Sequence, residues 1–176
     1  MKTSARGLLA ALAASVLISG PALATSTDSR AEISKVVRVN GTIVDVAASN
    51  PAFSKLVTAL TAANLVGVLQ GPGPFTVYAP TDAAFDKVPA PLLNLLFSDP
   101  SGALTSVLTY HVTPGIQDLR FSFVPRDLRT VQGQEVYAER ERNTLFINNS
   151  RVIGSPILTD NGVIYVVDSV LLPQYR

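Results

Sequence analysis

The chain has 176 residues, 47% of them hydrophobic and 15% charged, with a formal net charge of +1. That balance suits one folded domain with a substantial core, and it argues against a disordered chain or a basic polyanion binder. The lack of cysteine excludes disulfides, thiol nucleophiles, thiolate metal sites, iron–sulfur clusters and a lipid-modified cysteine.

The N-terminus reads as a secretory signal peptide. Lys2 and Arg6 give a basic start, Gly7 to Ile18 is apolar, Gly20-Pro21 breaks the run, and Ala22-Leu23-Ala24 supplies small residues for cleavage after Ala24. The apolar run is shorter than the roughly 20 residues a membrane-spanning helix needs. Without Lys2 and Arg6, twelve basic residues face thirteen acidic ones, which gives no electrostatic reason to bind nucleic acid. Thr25 to Arg38 is polar, without clear periodicity, and reads as a leader or linker (residues 25–38) before a domain spanning residues 39–174.

From Thr42, the residues Ile43, Val44, Val46 and Ala47 predict a short helix. Asn50-Pro51 is a good helix start, because Asn caps free backbone donors and Pro tolerates the first helical position. Phe53, Leu56, Val57 and Leu60 recur at helical spacing, and Leu65 to Leu69 suggests a further helical piece, stopped by Gly71-Pro72-Gly73-Pro74. Phe75 to Ala79 reads as an alternating strand. Thr81 or Asp82 can then cap a helical turn containing Phe85. Pro89 to Phe97 and Ala103 to His111 read as helices burying Leu92, Leu93, Leu95 and Leu96, then Leu104, Val107 and Leu108. After Asp118 the texture becomes β-like, with strands expected at 129–131, 135–138, 144–148, 151–154 and 163–167. Asn161-Gly162 is expected to form a tight turn in which both residues tolerate positive φ. Helices first and strands later imply an α+β fold.

Three ordered blocks carry a family likeness. They are Gly73-Pro74-Phe75-Thr76-Val77-Tyr78-Ala79-Pro80-Thr81-Asp82-Ala83-Ala84-Phe85, then Leu108-Thr109-Tyr110-His111-Val112-Thr113-Pro114-Gly115, then the run from Asn161 to Pro173. Together they resemble the signature blocks of the fasciclin (FAS1) domain family, over roughly Val39 to Pro173. The resemblance implies a wedge-like β-sheet core with several short helices packed on one side. It also implies a secreted, periplasmic or envelope-associated protein, of the small single-domain design found in bacteria, that binds without catalysis.

The implied role is an adhesion or matrix module for a cell-surface or matrix protein or polysaccharide, gaining avidity by clustering or oligomerisation. The alternative is a carrier of an apolar small molecule such as a carotenoid, held by Ile43, Phe53, Val57 and Leu60 with Tyr78 nearby. Tyr110, His111 and Tyr165 are the candidate contacts for a partner or ligand. Thr81, Asp82, Phe85, Asn161 and Gly162 are the motif residues expected to fasten loops. A buried His111 would need a hydrogen-bond partner, for which Asp82 or Thr81 is expected. Two departures from the family pattern stand out. Tyr165 stands where a histidine is common, and Pro156-Ile157 stands where animal members carry an Asp-Ile pair, so integrin-like recognition does not carry over.

Metal, cofactor and enzyme readings find little support. One histidine and no cysteine leave carboxylates as the other metal ligands, and Asp82, Asp160 and Asp168 do not form a calcium loop. No Gly-x-Ser-x-Gly elbow and no phosphate-binding Gly-rich loop occurs. Asn40-Gly41-Thr42 and Asn148-Asn149-Ser150 are glycosylation sequons only in a eukaryotic host. Arg120, Arg126, Arg129, Arg140, Arg142 and Arg151 are interleaved with Asp127, Glu135, Glu139 and Glu141, and read as a solvated mixed face.

Overall fold

The computed structural model describes residues 36–120 and 124–173. The signal peptide and most of the leader expected from the sequence lie outside the described residues. Thr42 starts helix α1 (Ile43–Ser49) with a capping box. Its side chain accepts from Asp45 N, and the Asp45 carboxylate accepts from Thr42 N at 2.9 Å. Asn50 caps a short 3-10 turn (Pro51–Phe53) by accepting from Ala52 N at 3.0 Å, and the chain runs on into α2 (Ser54–Ala62). Short α3 (Val66–Leu69) follows, and then strand β2 (Phe75–Pro80).

Thr81 caps α4 (Asp82–Asp86), α5 covers Ala90–Ser98, and a π turn (Pro100–Leu104) leads into α6 (Thr105–Tyr110). The strands before and after are β1 (Val37–Arg38), β3 (Val112–Pro114), β4 (Arg126–Arg129), β5 (Glu135–Glu141), β6 (Thr144–Ile147), β7 (Ser150–Arg151), β8 (Ile157–Thr159) and β9 (Gly162–Val167).

These strands form two sheets. One is five-stranded and mixed, in the order β1-β8-β9-β2-β3; the other is a four-stranded antiparallel meander, β4-β5-β6-β7. The centre of the first is the parallel pair β2–β9, with Tyr78 in register with Tyr165. Its side chains alternate between two apolar layers. Val77, Ala79 and Ile164 join the core under the helices, with Ile43, Phe53, Leu56, Leu60, Leu104 and Leu108. Tyr78, Val163, Tyr165 and Val167 point the other way, into a second core with Leu128, Val136, Leu145 and Ile147 of the meander. The order of layers is therefore helices, mixed sheet, meander.

Several sequence expectations change. Phe75 to Ala79 is a strand, but it does not alternate between core and solvent, because both of its faces are covered. Leu95 was expected inside and is 59% exposed, while only Leu96 of that helix is buried. The strand expected at 129–131 lies earlier, at Arg126–Arg129, and the one expected at 151–154 is Ser150–Arg151. Val37 and Arg38, read as leader, pair with Ile157 and Leu158, and β3 and β8 were not foreseen.

Candidate functional site

Tyr110 and His111 end α6, and they face different neighbours. His111 is 2% exposed. The backbone N–H of Leu171 can only donate, so it fixes Nε2 as acceptor at 2.9 Å, which leaves Nδ1 to donate to Val107 O at 2.7 Å. Both partners are main chain, which corrects the expected pairing with Asp82 or Thr81. Burial lowers the His111 pKa to about 4, against a smaller upward pull from the Val107 carbonyl. The ring is thus a neutral clamp between α6 and the segment after β9. The Tyr110 hydroxyl donates to Glu135 O at 3.1 Å and accepts from Asn148 Nδ2 at 3.0 Å, tying α6 to the meander.

Tyr165 is also internal. Its hydroxyl donates to Gln117 O at 2.9 Å and accepts from Leu119 N at 3.0 Å, pinning the loop after β3; burial pushes its pKa up. Its ring stands 6.2 Å from that of Tyr78, tilted by 33°. The Tyr78 hydroxyl is buried beside the Thr113 hydroxyl but makes no well-formed hydrogen bond among the described residues, and desolvation raises its pKa against a smaller downward pull from Thr113. Neighbouring Thr113 aims its hydroxyl at Thr76 O, across a long 3.5 Å. Tyr110, His111 and Tyr165 are the sequence's candidate contacts for a partner, with an internal hydrogen-bonding role the first reading for His111. All three are at most 3% exposed and their polar atoms complete internal hydrogen bonds, and Tyr110 also lines a cleft beside β5.

The motif residues are fasteners. Thr81 Oγ1 accepts from Ala84 N at 3.3 Å, while Asp82 reaches across to accept from Lys55 N at 2.8 Å in the first turn of α2. Lys55 in turn pairs with Asp86, and Phe85 is buried beneath.

Asn161 does more than turn the chain. Its Oδ1 accepts from Ile43 N at 2.9 Å, and its Nδ2 donates to Leu69 O and Gly71 O at 2.7 and 3.1 Å. Neither Asn161 nor Gly162 has positive φ, which corrects the reason given for that pair. Gly162 is required by close approach, since a Cβ there would sit 2.1 Å from Phe75 O.

The apolar residues proposed to line a groove are core. Ile43, Phe53, Leu60 and Tyr78 are each at most 4% exposed; Val57 is half-buried against the core that holds the first three, while Tyr78 lies in the other core. Among the described residues, no group of three or more His, Asp or Glu could hold a metal ion, and no helix is long and apolar enough to cross a membrane.

The sequence reading did not single out a cleft of about 1130 Å³ between the solvent face of β5 and the segment Val170 to Leu172. Glu135, Tyr137 and Glu139 alternate out of β5 along it, beside Arg129 of β4 and Asn149 of the β6–β7 turn. Arg129 stands opposite Glu135 in the strand register. Tyr137 is 40% exposed, and its backbone is held on both sides by Asn148. The available signal was the period-2 pattern Glu135-Val136-Tyr137-Ala138-Glu139, which places these three side chains on one outward face.

A family model described as "Fasciclin domain" matches residues 51–173. The uncharacterized protein sll1735 of Synechocystis is 43% identical over 136 residues, covering 74% of this chain and 96% of that protein. Protein sll1483 of Synechocystis is 35% identical, covering 98% and 99%. The cell surface glycolipoprotein MPB83 of Mycobacterium bovis is 37% identical, over 74% of this chain and 60% of its own length. A FAS1 domain pair from the insect cell adhesion molecule Fasciclin I shares the fold, with a TM-score of 0.60 at 19% identity, covering 76% of this chain and 51% of that one.

Proposed function

The chain belongs to the fasciclin (FAS1) domain family, and from that premise we propose that it is a secreted or surface-associated binding module that holds cell-surface or matrix components without catalysis. One observation carries this reading. The motif side chains Tyr110, His111, Tyr165, Thr81 and Asn161 all make internal hydrogen bonds, so they build the frame and leave recognition to the outer surface, including the cleft that Tyr110 helps to line. Rigid frames that present exposed faces are suited to binding. The names of two similar proteins agree in kind: one is a cell surface glycolipoprotein, the other a cell adhesion molecule. The carrier reading is weaker, because Ile43, Phe53, Leu60 and Tyr78 are packed inside and do not open together onto a groove.

The test displays the protein at high density on beads, where weak contacts gain avidity. The beads are exposed to whole cells of the source organism and to its isolated envelope polysaccharide. In parallel, the protein purified from that organism is examined by native mass spectrometry and absorbance. The binding-module reading expects density-dependent capture and a colourless protein of bare mass. A visible chromophore with matching added mass would replace it with the carrier, and absence of capture from either material would overturn it.

A further inference from the structure

We propose that the β5 cleft is a glycan-binding site, taking a neutral, hydroxyl-rich chain across Tyr137. The proposal rests on the binding-module reading and names the chemistry of the partner.

The Tyr137 ring lines the cleft between Glu135 and Glu139 on the β5 face, and the residue is 40% exposed although it lies on a sheet face. Such a ring, apolar in body and polar at its tip, suits a ligand whose faces are C–H and whose edges are hydroxyl. Glu135 and Glu139 flank it, each two residues away on the same face and so about 7 Å along the strand. Carboxylates only accept hydrogen bonds, the Arg129 guanidinium only donates, and the Asn149 amide does both. A hydroxyl donates and accepts at once, so a surface mixing these three kinds of group matches a ligand dense in hydroxyls.

Other ligand classes fit less well. A polyanion would meet Glu135 and Glu139 in the cleft lining. An apolar ligand would find the Val170 to Leu172 wall but would strip water from the charges of Arg129, Glu135 and Glu139 opposite, and desolvated charge is costly. An extended basic peptide would be drawn by the carboxylates, but Arg129 stands across the β4–β5 register from Glu135 and cancels part of that attraction. The frame is also stiff where it needs to be. Asn148 Oδ1 accepts from Tyr137 N at 2.8 Å while its Nδ2 holds the Tyr110 hydroxyl, so the strand that bears the ring is tied to α6 beneath it. Preorganisation of this kind lowers the ordering cost of binding.

The experiment titrates the intact protein with cellohexaose, maltohexaose and mannohexaose, following backbone amide NMR shifts, and with pentalysine as the competing class. The expected result is saturable shifts centred on Tyr137, Glu139 and Asn149 with at least one hexasaccharide, little changed by salt. Tyr137→Ala should weaken that binding about tenfold, the loss of one aromatic contact. Tyr137→Phe should keep it, because the ring remains. Arg151→Ala, exposed on the meander but outside the cleft, should leave it unchanged and report on the fold.

Shifts with none of the sugars, or shifts that survive Tyr137→Ala, overturn the site. Salt-sensitive binding of pentalysine in the cleft without sugar binding overturns it in favour of a basic peptide. Failure here while beads still capture cells refutes the glycan site alone, whereas loss of capture refutes the module itself.

Discussion

At the residue scale, one buried imidazole makes stability pH-dependent in a calculable direction. His111 titrates at about 4 when folded and near its ordinary 6.5 when unfolded. Between those values the unfolded chain binds a proton that the native state refuses. Stability therefore rises with pH through that window. The contribution is complete above pH 6.5, and it drains away as pH falls toward 4, by about 3 kcal/mol. Urea melts of wild type and His111→Ala at pH 7 and pH 4 should show the stability gap narrowing in acid by about that amount. A constant gap would mean the ring titrates normally.

The two neighbouring tyrosines, Tyr78 and Tyr165, give a second contrast at the same scale. Tyr165→Phe strands the half-buried Gln117 carbonyl and the buried Leu119 N–H and should cost about 1–3 kcal/mol. Tyr78→Phe removes a buried hydroxyl that has only the Thr113 hydroxyl beside it and no well-formed hydrogen bond, and should be close to neutral or stabilising. Equal losses in thermal melts of the two variants would contradict that assignment of partners.

At the scale of elements, the Asn161–Gly162 corner shows what the sequence made legible and what it concealed. The pair was readable as a turn, and the turn is there, between β8 and β9. Its weight comes from elsewhere. Asn161 holds the start of α1 and the end of α3, residues about ninety to one hundred and twenty positions away, and no local pattern reports such partners. Gly162 needs its missing side chain because β2 runs against it. Gly162→Ala should push β9 from β2 and cost about 3 kcal/mol, as overpacking against backbone cannot relax by a rotamer change. Asn161→Ala should cost at least about 2 kcal/mol by leaving backbone groups unpaired. Chemical denaturation measures both, and a Gly162→Ala protein of wild-type stability would show that the strands part freely.

Short elements were hidden too. β1 is two residues long and exists only through pairing with distant β8, while β8, three residues long, has its partner β9 close by across the Asn161–Gly162 corner but is too short to show a pattern of its own. By contrast, α1 and α4 carry local caps in Thr42 and Thr81, and the apolar spacing of α1 and α2 is local too. The β5 cleft was missed because Arg129, Glu135 and Glu139 look like any solvated mixed face until the segment Val170 to Leu172 is folded beside them.

At the scale of the whole molecule, two cores share one sheet, and that arrangement decides how the protein unfolds. Residues of β2 and β9 alternate between the core under the helices and the core under the meander. Losing the meander would bare Tyr78, Val163, Tyr165 and Val167 on the face it covers, a large apolar area to return to water. Backbone bonds also cross between the layers. Val131 N donates to Val112 O at 2.8 Å, Ile153 N to Val166 O at 2.8 Å, and Asp168 N to Arg151 O at 3.0 Å.

Neither core can open without stripping the central strands of cover on one face, so the two should unfold together in a single transition. Hydrogen exchange followed by NMR tests this directly. Amides of Val136 and Ile147 in the meander should share the slowest exchange class with those of Val77 and Ile164 in the mixed sheet. Val136→Ala should then lower protection in both sheets together. If the meander amides exchange through a separate, cheaper opening while β2 and β9 stay protected, the meander is an independent foldon and the cleft it carries is free to change shape on its own. Shared protection would instead make the cleft a fixed surface, which is what recognition by a rigid binding module requires.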